Sequence, residues 1–209
     1  MKINYQAKLD LILEKIKSQG TVPKLLLHAC CAPCSSYVLE YLTEYFNITL
    51  YFYNPNITDS DEYQKRAGEL ERLISEMPQK NPIDLIVCDQ RPERFYELTR
   101  GLEDLPEGGV RCFGCYRERL TATASYMKEH EGEFDYFATT LTVSPHKNAD
   151  KLNEIGAELE ENFGVRYLPS DFKKRNGYKR SIELSREYSL YRQDFCGCEF
   201  SKEYKYGNS

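Results

Sequence analysis

Residues 28–35 read HACCAPCS and follow directly on the apolar run of residues 25–27. The apolar run predicts a buried strand, and the amphipathic pattern of residues 37–46 predicts a helix after the turn. The three thiols of this turn are thereby placed between the carboxyl end of a strand and the amino end of a helix. Because open α/β sheets bind their ligands at this edge, we expect a functional site here.

The alternation of strand and helix patterns continues along the chain. Strands are also predicted at residues 48–53, 83–87, 134–139 and 165–168, and helices at 5–18, 60–75, 116–127 and 148–163, with a further helix that starts at Pro92. This alternation predicts a mostly parallel sheet with right-handed crossovers. We predict an α/β fold, a Rossmann-like, mostly parallel sheet with flanking helices, in a single domain over residues 1–209.

The composition is typical of a folded globular protein, with 41% hydrophobic and 29% charged residues. Charged residues interrupt every apolar run of residues 1–20, which excludes a signal-peptide core or a membrane span in this stretch. We therefore expect a cytoplasmic protein without a membrane partner. The net charge of −5 argues against a wholly basic nucleic-acid-binding surface, although it leaves room for a local basic patch.

Seven of the eight cysteines fall in three short clusters. In a reducing cytosol, clustered cysteines are more often metal ligands or redox centres than disulfides. We interpret the clusters as one metal site assembled from three loops. Because seven thiols exceed the four that one zinc ion takes, two adjacent metal centres, or a cluster with a redox-active pair, are expected. The candidate ligands are Cys30, Cys31, Cys34, Cys112, Cys115, Cys196 and Cys198.

Three other residues have weaker cases for function. Cys88 ends an apolar strand and is expected to be a buried small hydrophobe. For His28, at the end of the first strand, a core or supporting role is favoured over metal ligation. His146 follows Pro145 in a polar loop at the predicted site, and a functional role and a purely structural role are equally expected for it.

The composition changes after Pro169. Residues 173–192 hold seven Lys and Arg against two Glu, with three interleaved tyrosines. This composition fits either a solvated face or contact with nucleic acid. We expect residues 173–201 to be a basic, cysteine-bearing segment that closes the metal site, and the tail after Ser201 to be unstructured.

Several motifs together resemble one family, the epoxyqueuosine reductase QueH family. They are LLLHACCAPCSS, YNPNI, RCFGCYRERL, TTLTVSPHKN and YRQDFCGCEFS, and they occur in the family's order over residues 23–201. The resemblance implies a fold similar to the PP-loop and related adenine-nucleotide α-hydrolase-like proteins. It also implies an oxidoreductase that reduces the epoxide of epoxyqueuosine in tRNA to give queuosine. HACCAPCS stands where a PP-loop enzyme has its glycine-rich phosphate loop, which argues against ATP use.

The resemblance further implies cofactors and partners. These are a cysteine-bound [4Fe-4S] cluster, an additional mononuclear iron, and a tRNA whose anticodon loop carries epoxyqueuosine. An external electron donor is also required, because no flavin or nicotinamide fingerprint follows any predicted strand. The seven clustered cysteines become the candidate ligands, without a division between cluster and iron. Because adjacent residues seldom reach the same cluster, Cys30 and Cys31 are expected to serve different metals.

Roles follow for a few further residues. Asp194, two residues before Cys196, is the candidate to complete the iron's shell, and His146 and Tyr116 are candidate proton donors near the site loops. The residues expected to bind RNA are Lys173, Lys174, Arg175, Tyr178, Lys179 and Arg180. Two other functions stay open at this point: a PP-loop-type tRNA-thiolating enzyme, and a non-catalytic zinc-binding RNA or protein interaction module.

Overall fold

The computed structural model describes residues 3–201 and has a parallel sheet at its centre. The strands are β1 (Lys24–His28), β2 (Asn47–Phe52), β3 (Ile83–Val87) and β4 (Tyr136–Thr139), in the order β3-β2-β1-β4. All neighbouring strands run parallel, with Leu26 of β1 opposite Thr49 of β2 and Phe137 of β4. Because parallel strands need crossover connections, helices join them. The predicted α/β class, with a parallel sheet flanked by helices, is confirmed.

Seven α-helices and one short 3-10 helix complete the described chain. They are α1 (Tyr5–Gln19), α2 (Ala32–Leu42), α3 (Ser60–Glu76), α4 (Pro92–Thr99), α5 (Val110–Glu129), α6 (Ala149–Phe163), α7 (Gly177–Glu187) and the 3-10 helix Thr140–Val143. The helix ends follow local chemistry: α1 stops at Gly20, whose φ is 63°, and the Asn148 side chain accepts a hydrogen bond from the Lys151 N–H at the start of α6. None of the helices within residues 3–201 is long and apolar enough to cross a membrane.

The sheet separates two apolar cores. Leu25 and Leu27 of β1 pack into a cluster that includes residues of α1, α2 and α3. Leu26 lies in a second cluster with residues of α5 and α6. Successive strand residues point to opposite faces of a sheet, so the uninterrupted leucines of β1 match a strand covered on both sides.

Three predictions about elements are corrected. The predicted strand at 165–168 is a single bridge between Phe137 and Tyr167, because the Ser170 N–H, which would continue the ladder, donates to the Asn153 side chain instead. The helix predicted from Tyr116 begins at Val110, so Cys112 and its partner lie in its first two turns. The helix predicted at 37–46 is α2, Ala32–Leu42, so Cys34 lies in its first turn.

The basic segment contains a helix that its composition alone did not predict. Residues 177–187 form α7, which packs against α2. At Gly177 an added Cβ would lie 2.0 Å from the Phe172 carbonyl oxygen and 2.3 Å from the Tyr37 ring, so only glycine fits this approach. The tail after Ser201 lies outside the described residues.

Candidate metal centre

The first cysteine group lies where β1 leads into α2, with Cys30 and Cys31 in the turn and Cys34 in the first turn of the helix. The side-chain sulfurs of Cys30, Cys31 and Cys34 all lie within 4.8 Å of one another, and those of Cys30 and Cys31 are 3.6 Å apart. We call these three residues the cysteine triad. Within residues 3–201, no other set of three or more Cys, His, Asp or Glu side chains is grouped as closely.

Buried polar contacts fix the backbone and the strand next to the triad. The Asn54 side chain donates to the carbonyl of Ala29, with a distance of 2.9 Å. His28 is fully buried, with Nε2 3.2 Å from the Tyr53 carbonyl and Nδ1 3.0 Å from the Thr139 hydroxyl. Because a carbonyl only accepts, Nε2 carries the proton and Nδ1 accepts from the threonine. Burial lowers the pKa of His28 to about 4. Both ring nitrogens are occupied, in agreement with a supporting role.

The second cysteine group joins α5 to the end of the described chain. Cys112, Cys115, Cys196 and Cys198 line one small cavity, and we call them the cysteine tetrad. The first two lie three residues apart on α5 and therefore share a helix face. The other two, Cys196 and Cys198, lie within residues 189–201, a segment that we call the strap.

Long-range hydrogen bonds hold the strap in place. The Cys196 carbonyl accepts from the Asn56 side chain at 2.9 Å and from Arg66 at 3.2 Å, and Arg66 also donates to the Phe195 carbonyl at 3.3 Å. The Arg66 guanidinium is itself paired with Glu62 at 2.6 Å. Gly197 has a φ of 95°, and an added Cβ there would lie 2.6 Å from the side chain of Ile57. The strap is thus fixed from α3 and from the loop after β2.

The triad and the tetrad adjoin each other. A larger cavity of about 370 Å³ is lined by Cys30, Cys34 and Cys196, and the small cavity by the tetrad. Cys196, Arg119 and Lys147 line both cavities. The three cysteine-bearing segments therefore meet, as a group of three and a group of four thiols.

In each group one thiol is favoured as the thiolate. Hydrogen bonds with the Cys30 and Cys34 thiols hold the pKa of Cys31 well below its usual value, and a hydrogen bond with Cys198 does the same for Cys196. The pKa of Cys30 is raised to about 11, chiefly by its hydrogen bond with Cys31. Deprotonated sulfur is the form that binds metal.

Buried cations face these thiols. Arg119 is only 3% exposed, and its side chain donates to the Cys115 carbonyl at 3.2 Å. Burial alone would lower the pKa of Lys147, but the neighbouring Cys196 and Tyr116 more than offset this and raise it above its usual value. The site therefore combines soft anionic donors with fixed positive charge.

The predicted catalytic residues lie in different places. His146 and Asp194 are exposed and line the larger cavity. Tyr116 lines the small cavity, is 1% exposed, and its hydroxyl has no hydrogen-bond partner within residues 3–201. Burial raises the pKa of Tyr116 to about 12, so it stays protonated near neutral pH.

The residues predicted to bind RNA do not share one surface. Lys173, Lys174 and Arg175 line a cleft of about 680 Å³ beside the start of α1. Tyr178 lines the larger cavity instead, and Lys179 is exposed. The guanidinium of Arg180 is paired with Glu40 at 2.6 Å, and with Glu183 and Glu187.

Sequence reasoning missed three cations of the site: Arg66, Arg119 and Lys147. Arg119 had a usable signal, because it follows Cys115 by four residues and Cys112 by seven, which places all three on one helix face. Lys147 directly follows the candidate His146. Arg66 had no signal, since its contacts to the strap span 129 and 130 residues of sequence.

Comparison with known proteins identifies close relatives. The family model described as "Epoxyqueuosine reductase QueH" matches residues 25–204. A protein of this name from Streptococcus pyogenes serotype M1 is 45% identical over 202 residues, which cover 96% of this chain and 78% of that protein. Namesakes from Staphylococcus epidermidis and Thermotoga maritima are 43% and 34% identical, over 96% and 87% of this chain and 85% and 90% of their own lengths.

Proposed function

The chain belongs to the epoxyqueuosine reductase QueH family of oxidoreductases, and from this premise we propose that it reduces the epoxide of epoxyqueuosine in tRNA and so forms queuosine. The observation that carries the proposal is the cysteine triad, two of whose members, Cys30 and Cys34, line a cavity of about 370 Å³. This volume lies in the range of small-molecule sites, roughly 300–1,000 Å³, and would accept the modified part of a nucleoside.

The reaction breaks both carbon–oxygen bonds of the epoxide and leaves a carbon–carbon double bond and one water molecule. It consumes two electrons and two protons. The electrons come from an external donor. When bound by thiolates, a [4Fe-4S] cluster transfers electrons one at a time, and an adjacent iron polarises an oxygen atom as a Lewis acid.

The donor sets fit these two metal centres. Sulfurs within 4.8 Å of one another suit a single ion, since a metal such as zinc binds each thiolate at roughly 2.3 Å. The tetrad is less tightly grouped and supplies the four thiolates that a cubane takes. We assign the iron to the triad, with Asp194 on the same cavity as a further ligand, and the cluster to the tetrad. Under this assignment Cys30 and Cys31 serve the same metal, contrary to the expectation from their adjacency.

The remaining side chains bind and orient the substrate and supply protons. His146, which lines the larger cavity, is our proposed proton donor to the epoxide oxygen. The Tyr116 hydroxyl faces the tetrad and keeps its proton to donate a hydrogen bond there. Tyr178 offers a ring on the cavity wall against which an unpaired base would stack.

Contact with the RNA backbone is proposed for the basic residues outside the cavity. Lys173, Lys174 and Arg175 line the neighbouring cleft, and Lys179 is exposed to solvent. Charge reversal of the first three residues to Glu should abolish tRNA binding and leave the metal content intact. Replacing a single cation that neutralises one phosphate should reduce the slope of log affinity against log salt by about 0.7, the value for single strands. Unchanged affinity at moderate salt would contradict the assignment.

The proposed function is tested with protein purified without oxygen. Iron, sulfide and zinc are measured first, and the protein is then incubated with dithionite and tRNA that carries epoxyqueuosine. We expect about four cluster irons with sulfide, a further iron, and conversion to queuosine in the digested nucleosides by mass spectrometry. Zinc without sulfide, after cluster reconstitution has been attempted, would contradict the mechanism and favour a non-catalytic zinc module.

A further inference from the structure

Arg119 is a buried cation without a carboxylate partner in the part of the chain that the structure describes. It lies on α5 one turn after Cys115 and is 3% exposed. Its Nε donates to the Cys115 carbonyl at 3.2 Å. No carboxylate of residues 3–201 lies within 4.0 Å of its guanidinium.

The other buried arginines of residues 3–201 have partners within the protein, but the Nε of Arg111 has none, and Arg111 also lines the small cavity. Arg66 is paired with Glu62 at 2.6 Å. Arg111 donates to the carbonyls of Leu102 and Glu103, and its guanidinium lies 4.9 Å from the centre of the Phe200 ring. Arg119 instead lines both cavities, where its charged neighbours are thiols. An unpaired buried charge is strongly unfavourable, so this guanidinium requires an anion in the cavities.

A second cation stands on the same wall. Lys147 has a side chain that is 11% exposed, and its Nζ lies 3.8 Å from the Glu107 carboxylate, a loose contact on an exposed loop. Its ring contact is with Tyr116, at 5.8 Å from the centroid. Three cations, Arg111, Arg119 and Lys147, therefore line a cavity whose other ionisable side chains are the four thiols of the tetrad, the Tyr116 hydroxyl and the Glu107 carboxylate.

We propose that Arg119 is a positioning residue that balances the negative charge of the thiolate-bound [4Fe-4S] cluster and raises its reduction potential, with Lys147 as a second, weaker contributor. This inference rests on the proposed function, in the assignment of the cluster to the tetrad. Reduction adds one electron to a complex that is already anionic, so a fixed buried cation stabilises the reduced form more than the oxidised form. Net charge and hydrogen bonding around the sulfurs are the factors by which proteins set cluster potentials.

The test is a redox titration of the oxygen-free protein, followed by electron paramagnetic resonance. In Arg119→Gln we expect the ratio of oxidised to reduced cluster at a fixed potential to rise about tenfold, which is a shift of about 59 mV to more negative values for a one-electron couple. Arg119→Lys keeps the charge and should shift the potential by less than half as much. The matched control is Arg117→Gln, on the same helix, whose side chain is 45% exposed and paired with Glu158. It should leave the potential unchanged.

The outcomes separate this inference from the proposed function. A variant Arg119→Gln that retains full iron and sulfide and has the midpoint of the unchanged protein would overturn the inference alone. If this variant loses its cluster, the reduction potential of Lys147→Gln is measured instead. We expect a smaller shift to more negative values, and an unchanged potential would overturn the proposal. Unaltered protein that never holds iron and sulfide would overturn the proposed function and this inference with it.

Discussion

The triad and the strap bring cysteines to the same site in different ways. The triad lies within five consecutive residues, at the junction of a buried strand and a helix that pack in the main core. The strap places Cys196 and Cys198 through side-chain hydrogen bonds to its carbonyls, from Asn56 and Arg66. Local structure positions the first group, whereas a few replaceable polar contacts position the second. We therefore expect the strap to detach before the fold is lost.

Replacing one cysteine in each region gives the largest expected effect. Cys34→Ser and Cys198→Ser should each lower epoxide reduction by more than about 100-fold, because loss of even an outer partner of a metal costs about 10–100-fold. The two variants should differ in their iron and sulfide content. Cys34→Ser should keep sulfide and lose one iron, whereas Cys198→Ser should lose sulfide. Cys88→Ser, outside both groups, is the control. Loss of sulfide in Cys34→Ser with its retention in Cys198→Ser would reverse our assignment.

The next largest effect is expected from replacing Arg66, the arginine that holds the strap. Arg66→Ala leaves Glu62, whose side chain is 11% exposed, with the Tyr191 hydroxyl but without its cation, and the loss of one member of a buried ion pair costs about 3–5 kcal/mol. The free energy of unfolding is measured with urea, and cleavage within residues 189–201 by limited proteolysis. Arg94→Ala, where the side chain is 49% exposed, should change neither. Equal protection of the strap in both variants would show that Arg66 does not hold it.

A matched pair of glycines tests how closely the strap is seated. Both Gly197 and Gly132 have positive φ, 95° and 87°, so alanine at either costs roughly 1–2 kcal/mol of backbone strain. Only at Gly197 would the new Cβ meet a neighbour, the side chain of Ile57 at 2.6 Å. Gly197→Ala should therefore be the more destabilising and should reduce cluster content, as measured by sulfide. Equal effects of both changes would mean that the contact with Ile57 is unimportant.

Two asparagines of one loop give the smallest and sharpest comparison. Asn54 donates to the Ala29 carbonyl beside the triad, and Asn56 donates to the Cys196 carbonyl of the strap, each at 2.9 Å. Each change to alanine should cost about 1 kcal/mol. Hydrogen exchange should show faster opening of the turn in Asn54→Ala and of the strap in Asn56→Ala. The same pattern of exchange in both variants would contradict separate anchoring.

These contrasts also explain what the sequence could predict. The place of the triad between a strand and a helix is predicted correctly because an apolar run and a helix pattern flank it, although α2 begins at Ala32 rather than at residue 37. The position of the strap depends on Arg66, more than 120 residues away, and no local pattern encodes this contact. Composition leaves the basic segment open between a solvated face and contact with RNA, and the ion pair of Arg180 with Glu40 of α2 could not be predicted, because only the packing of α7 creates it.

For the cysteines, too, the sequence predicts some features of the site and not others. Spacing is enough to gather seven cysteines as candidates, since each cluster lies at the end or start of an element. Their division into three and four depends on side-chain directions, which residue spacing does not provide. The helical spacing of Arg119 to Cys112 and Cys115 could have identified it as a site residue. No sequence pattern predicts that it has no carboxylate partner among residues 3–201.

The path of the chain through the site also sets an order of assembly in time. The triad and the loop at residues 54–57 are synthesised early, and the strap is the last part of the described chain to leave the ribosome. Because synthesis runs from the amino terminus, a nascent chain that lacks the strap contains the whole triad and only half of the tetrad. A prematurely terminated chain would therefore hold Cys112 and Cys115 without the means to complete the second centre.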